Sequence, residues 1–138
     1  MSDRFATNMF RLAALWNFGA ALFGLFASKL AFELLFGEDA YVGDYHQLWL
    51  LRVFWVAVLL FGVGYLFVSM NTSENRAIVW LGILGKFAVF AFVAHAFASD
   101  EATFLWMLIA VGDFLWSLLF AWFLYETRER VRVSNLLG

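Results

Sequence analysis

Two charged residues, Lys86 and Asp113, each stand alone near the middle of a long apolar run of this 138-residue chain. An ammonium and a carboxylate so placed can hold each other as an ion pair, titrate a proton or bind an anion. A charge at the centre of a bilayer costs at least about 2.5–3.5 kcal/mol on insertion scales, so each should face the protein interior and have a partner. Only Ser99, Asp100 and Glu101 separate the two runs, which predicts an antiparallel helical hairpin. Reflection about Asp100 and Glu101 sets Lys86 level with Leu115, and Asp113 lies about two residues, or roughly 3 Å, from that level. The two side chains are therefore expected to touch directly or through one water. Gly82 and Gly85 flank Lys86 and allow close approach, while Ser117 follows Asp113 by one turn on the same face.

Further polar residues fall inside apolar runs. Asn17 belongs to a stripe of small residues in the first run, with Ala14, Ala21, Gly24 and Ser28, suited to close helix packing and an interhelical hydrogen bond. Counted from the edge of its run, Asn17 is expected level with Gly64 or Tyr65 and with Gly82. Arg52 lies a turn and a half inside the second run, where an arginine either snorkels outward or turns to a cluster with His95 at the same depth. His46 belongs to that level as well. Two histidines on different helices raise haem or metal binding, but a metal site needs three or more ligands and the nearby carboxylates, Asp44, Asp100 and Glu101, are on loops. At about 100° per residue His95 also projects away from Lys86. No metal and no cofactor is expected. The deep indoles Trp55, Trp80, Trp116 and Trp122 each want a partner for the ring N–H, and a cavity for a lipophilic ligand would suit them.

These side chains must be positioned by the apolar runs themselves, 10–36, 48–70, 77–98 and 102–125. Each is long enough for a helix that crosses a bilayer, at about 1.5 Å per residue, and far too long for the roughly 9–11 residues of a membrane strand. The expected fold is all-α, one membrane domain formed by a four-helix transmembrane bundle running up-down-up-down, followed by a charged tail over 126–138 in which Glu126 and Arg130 can pair. The composition demands a bilayer: 64% of the residues are hydrophobic and 14% charged, against about 45–50% and 25% in soluble domains. A net charge of −2 gives no reason to expect nucleic acid. The absence of cysteine excludes disulfides, thiolate chemistry and iron–sulfur clusters. The absence of proline favours unbroken spans over the broken helices from which many transporters build their sites.

Charge asymmetry orients the bundle. Arg4, Arg11, Arg76, Arg128, Arg130 and Arg132 flank one side, while Glu33, Glu38, Asp39, Asp44, Asp100 and Glu101 fall on the other. By the positive-inside rule both termini are expected in the cytoplasm. The first run is too long for the apolar core of a cleaved signal, and Met-Ser-Asp-Arg makes a poor start for one, so no cleavage is expected.

The layout, with Arg-Leu-Ala-Ala-Leu opening the first span, Leu-Gly-Ile-Leu-Gly-Lys ending at Lys86 and Gly-Asp-Phe-Leu-Trp around Asp113, resembles small bacterial four-helix membrane proteins and, more loosely, the DoxX-like proteins. That resemblance implies a multi-pass protein of the bacterial inner membrane and carries over no catalytic residue. Small multidrug transporters are comparable in size but place a glutamate where the first span here has Asn17. Three roles follow. The first is a non-enzymatic subunit, locked by Lys86 and Asp113 and docking on a membrane-protein partner or a second copy within the lipid bilayer. The second is a carrier or binding protein for a lipophilic or anionic small molecule, with Lys86, Asp113 and Arg52 facing a cavity. The third and weakest is a haem- or quinone-linked redox component using His46 and His95. A pocket beside Lys86 separates the first two.

Overall fold

The computed structural model describes residues 1–128. They form five helices and no strand: α1 (Asp3–Phe26), α2 (Ser28–Phe36), α3 (Tyr45–Met70), α4 (Arg76–Ala98) and α5 (Phe104–Glu126). Four of them, α1, α3, α4 and α5, are long and apolar enough to cross a membrane. No more than 39% of the apolar window of any of these helices is buried inside the protein, so most of that surface faces outward. Phe26 at 87% exposure and Phe92 at 76% are extreme cases. An outward apolar surface of that extent calls for a lipid environment.

Local residue chemistry sets the helix ends. Ser2 caps α1 by accepting from the Phe5 amide, and Asp44 caps α3 by accepting from the His46 amide at 2.9 Å. Gly37 ends α2 at φ 98°, a conformation that favours glycine. Thr103 caps α5 and also fastens α2: its hydroxyl donates to the Leu34 carbonyl at 2.6 Å and its amide to the Leu35 carbonyl at 2.9 Å. Two carbonyls left open by the end of α2 are thereby satisfied. At the other end, Arg76 donates to the Thr127 hydroxyl at 2.6 Å and to the Leu124 carbonyl at 3.1 Å, so a residue that opens α4 closes α5.

The first run, 10–36, is not one helix: the spanning helix α1 is continuous to Phe26, and α2 follows a break. The helix breaks at Ala27 (φ −117°, ψ 43°) with neither proline nor glycine at the break. A side chain does the work instead. The Ser28 hydroxyl donates to the Leu25 carbonyl at 3.0 Å and accepts from Arg52 Nε at 2.8 Å, so local hydrogen bonding replaces part of the helical ladder. The expected pairing of Glu126 with Arg130 falls outside the described residues, and Glu126 instead takes the N-terminal amine at 3.0 Å.

The helices pack in two pairs, α1 with α3 and α4 with α5, with backbones close inside each pair and the pairs meeting mainly through side chains. Within and between the pairs, aromatic rings sit on glycines. Trp55 occupies the space a side chain at Gly24 would need, and Phe18 lies 2.7 Å from a Cβ built at Gly62. Tyr65 and Trp16 stand in the same relation, each at 2.9 Å, to Gly82 and Gly112. The sequence stripe Ala14, Asn17, Ala21, Gly24 and Ser28 is buried throughout its length. Near the start of α1 and the end of α5, helices α1, α3, α4 and α5 converge on one core, where Phe10 stacks on Phe120 and Tyr65 meets Phe120 edge-on, both at 5.0 Å between centroids. The core at the opposite end joins α2 and α3, with Trp106 of α5 against Phe36 at 4.3 Å. Helix α4 contributes no buried residue to that second core.

Candidate functional site

The site starts from Lys86, only 6% exposed on α4. Its ammonium donates to Asp113 Oδ1 at 2.6 Å and to Asn17 Oδ1 at 3.1 Å. The depth count around the Ser99–Glu101 link had put the first two side chains within reach, and the structure has them in direct contact. The third member comes from α1. Asn17 anchors itself by donating from Nδ2 to the Val58 carbonyl of α3 at 3.0 Å. Trp16 Nε1 donates to the same Asp113 oxygen at 3.2 Å. The Tyr65 ring lies 5.7 Å from the Lys86 ammonium, within range of a cation–π contact. A single connected network thus touches all four long helices. Each charge is stabilised by the other and by neutral polar groups, as a low-dielectric interior requires.

Asn17 lies close to the level the count from the sequence gives: its Cβ is 3.2 Å from a Cβ built at Gly62, two residues from Gly64, and its amide reaches the Val58 carbonyl and the Lys86 ammonium.

Four other residues singled out in the sequence stay apart from this network. Ser117 is buried, but its hydroxyl bonds back to the Phe114 carbonyl of its own helix at 2.7 Å, the common fate of a serine inside a helix. Arg52 is exposed and binds Ser28; it does not cluster with His95 and lines neither of the cavities described below. His46 pairs with Asp44 at 3.0 Å on the exposed start of α3, and the bonds from its amide and ring hold the Asp44 carboxyl below the usual carboxylate range. His95 lies on the wall of the outer cavity. Among the described residues no group of three or more His, Cys, Asp or Glu side chains is placed to hold a metal ion.

Beside the network, between the two helix pairs, lies a cavity of about 130 Å³. Lys86, Asp113 and Asn17 form its polar wall, and Trp16, Trp55 and Phe61 are among its aromatic lining. A second, more open cavity of about 450 Å³ lies between α3 and α4, with Trp106 of α5 behind it and His95 and Glu101 at the end away from the chain termini. Phe54 and Val89 line both. Trp55 Nε1 is the one buried side-chain nitrogen or oxygen without a hydrogen-bond partner among the described residues.

Reasoning from the sequence missed Trp16 and Tyr65 as members of the site. For Trp16 a signal existed, since it directly precedes the one amide of the first span and an indole N–H inside a membrane needs an acceptor. No protein-family model, curated protein or solved structure matches the chain. Its functional reading therefore rests on the residues and geometry of the site.

Proposed function

We propose that this chain is a binding protein or carrier for a small lipophilic molecule, held beside the Lys86–Asp113 pair. The observation that carries this reading is the cavity itself: Lys86 is buried and Asp113 half-buried among the helices, and both also form part of its wall. A pair serving only as a lock needs no space beside it. The protein is placed in the inner membrane of a bacterium, its four spans running up-down-up-down with both termini cytoplasmic. The arginine distribution supports this orientation, and the short length and four spans support the loose kinship with DoxX-like proteins. The test is purification in lipid nanodiscs followed by mass spectrometry of extracted small molecules, beside an Ala20→Phe variant that fills the cavity. A compound enriched with the wild type and lost from Ala20→Phe is the expected result. Identical extracts from the two proteins would defeat the reading.

A second reading is favoured by the reach of the network through all four long helices. In it the pair fixes how the two helix pairs meet, and the protein acts as a subunit on a membrane partner or a second copy. Paired replacement of Lys86→Met and Asp113→Leu separates the two: restored fold with restored cellular function supports the lock, and restored fold without function supports the site.

A further inference from the structure

We infer that the ligand is an uncharged lipophile with one hydrogen-bonding head, a hydroxyl or a carbonyl, lodged at Lys86 with its apolar chain in the crevice between α3 and α4. This rests on the binding reading above and narrows it from lipophilic or anionic molecules to neutral ones.

Charge is the first ground. The charged residues lining the two cavities are Lys86, Asp113 and Glu101. Lys86 and Asp113 cancel each other, and Arg52, the cation that might have compensated an anion, is turned to Ser28. An anionic head beside the pair would leave a net negative charge deep in an apolar wall, where no cation offsets it. A neutral head brings no such cost.

Hydrogen-bonding capacity is the second. A lysine ammonium has three N–H donors, and Asp113 and Asn17 engage two of them. Trp55, 6% exposed, also has an indole N–H without a partner among the described residues, but that edge of the ring packs on Gly24 and offers the cavity no donor. Trp16 and Lys86 both bond to Asp113 Oδ1, which leaves Oδ2 without a hydrogen bond among the described residues. The wall thus offers one ammonium donor to a carbonyl or hydroxyl oxygen and a carboxylate acceptor to a hydroxyl proton.

Shape is the third. The inner cavity, at about 130 Å³, is near the roughly 150 Å³ that accommodates a single benzene-sized group. It holds a head and little more. Phe54 and Val89 line both cavities, so the remainder of the molecule extends past them along the larger crevice, whose wall is apolar until His95 and Glu101. Ala88 and Phe92 on that crevice are exposed on the lipid-facing surface, so the ligand enters sideways from the bilayer.

The test uses two photoreactive probes in nanodiscs, a long-chain alcohol bearing a diazirine and the sulfonate of the same chain, with crosslinks mapped by mass spectrometry. The alcohol should label α3 and α4 near Phe54 and Val89, and excess unlabelled undecanol should suppress that labelling. The sulfonate should label those positions at least about tenfold less, a difference equivalent to about 1.4 kcal/mol. Val89→Trp, which adds bulk to the wall that the cavities share, should reduce labelling by the alcohol, and competition by undecanol on the wild type gives the same answer without any variant. Equal or stronger competable labelling by the sulfonate would overturn the preference for a neutral head while leaving a ligand site in place. Absence of competable labelling by either probe would remove the binding reading, and this inference with it.

Discussion

The indole of Trp16 donates to the same Asp113 oxygen that receives the Lys86 ammonium, at 3.2 Å against 2.6 Å. Trp16 lies on α1 and Asp113 on α5, so the ion pair of one helix pair is also held from the other. Trp16→Phe keeps most of the ring and removes the donor. It should cost about 1.5–3 kcal/mol, the usual worth of a hydrogen bond to a charged group. Thermal unfolding in a mild detergent checks it, and an unchanged midpoint would show that the indole bond contributes nothing.

Gly24 should tolerate no larger residue. The Trp55 ring fills the space of a side chain there, so Gly24→Leu must push α1 and α3 apart. Overpacking of this kind typically costs about 1–3 kcal/mol or more. Gly19, where a side chain would meet nothing within 4 Å, supplies the control, and Gly19→Leu should cost much less. Equal melting temperatures for the two variants would contradict the packing described here.

Arg76 bridges the start of α4 to the end of α5 through Thr127 and Leu124. Arg76→Met should leave the Leu124 carbonyl and the buried Thr127 hydroxyl with fewer partners, at about 1–3 kcal/mol. Amide exchange over the last turn of α5 should quicken more than that at mid-helix. Uniform exchange along α5 would argue against a clamp.

Asp44 gives a pH dependence of known sign. Its carboxyl is held below the usual range by the His46 amide and ring, so its cap is in place at neutral pH and is lost as pH falls through the lowered value. Exchange in the first turn of α3 should therefore rise on acidification beyond the intrinsic chemical trend. In Asp44→Ala that extra rise should vanish. If it persists in the variant, another group controls the start of α3.

The sequence made some of this structure legible and hid the rest, for physical reasons. Four apolar runs yielded four long helices because length and composition alone determine what a bilayer accepts. The contact of Lys86 with Asp113 was readable because the link between their runs is so short that depth errors stay small. The break at Ala27 carries no proline or glycine signal; it depends on Ser28 and on an arginine from another helix. Tyr65 is hidden among aromatic residues spread over every helix face, whereas Trp16 is marked by its place beside Asn17. The cavities arise from the spacing of the two helix pairs, a tertiary quantity that no local pattern encodes.

A double-mutant cycle on Lys86 and Asp113, followed by unfolding in a bilayer-mimicking detergent, tests the central claim most directly. Removing either partner alone, as Lys86→Met or Asp113→Leu, should cost about 3–5 kcal/mol because it strands a buried charge. The pair of replacements together should recover much of that loss, giving a large favourable coupling between the positions. A double variant as unstable as the two single losses added together would mean that the charges act independently, and would contradict the account.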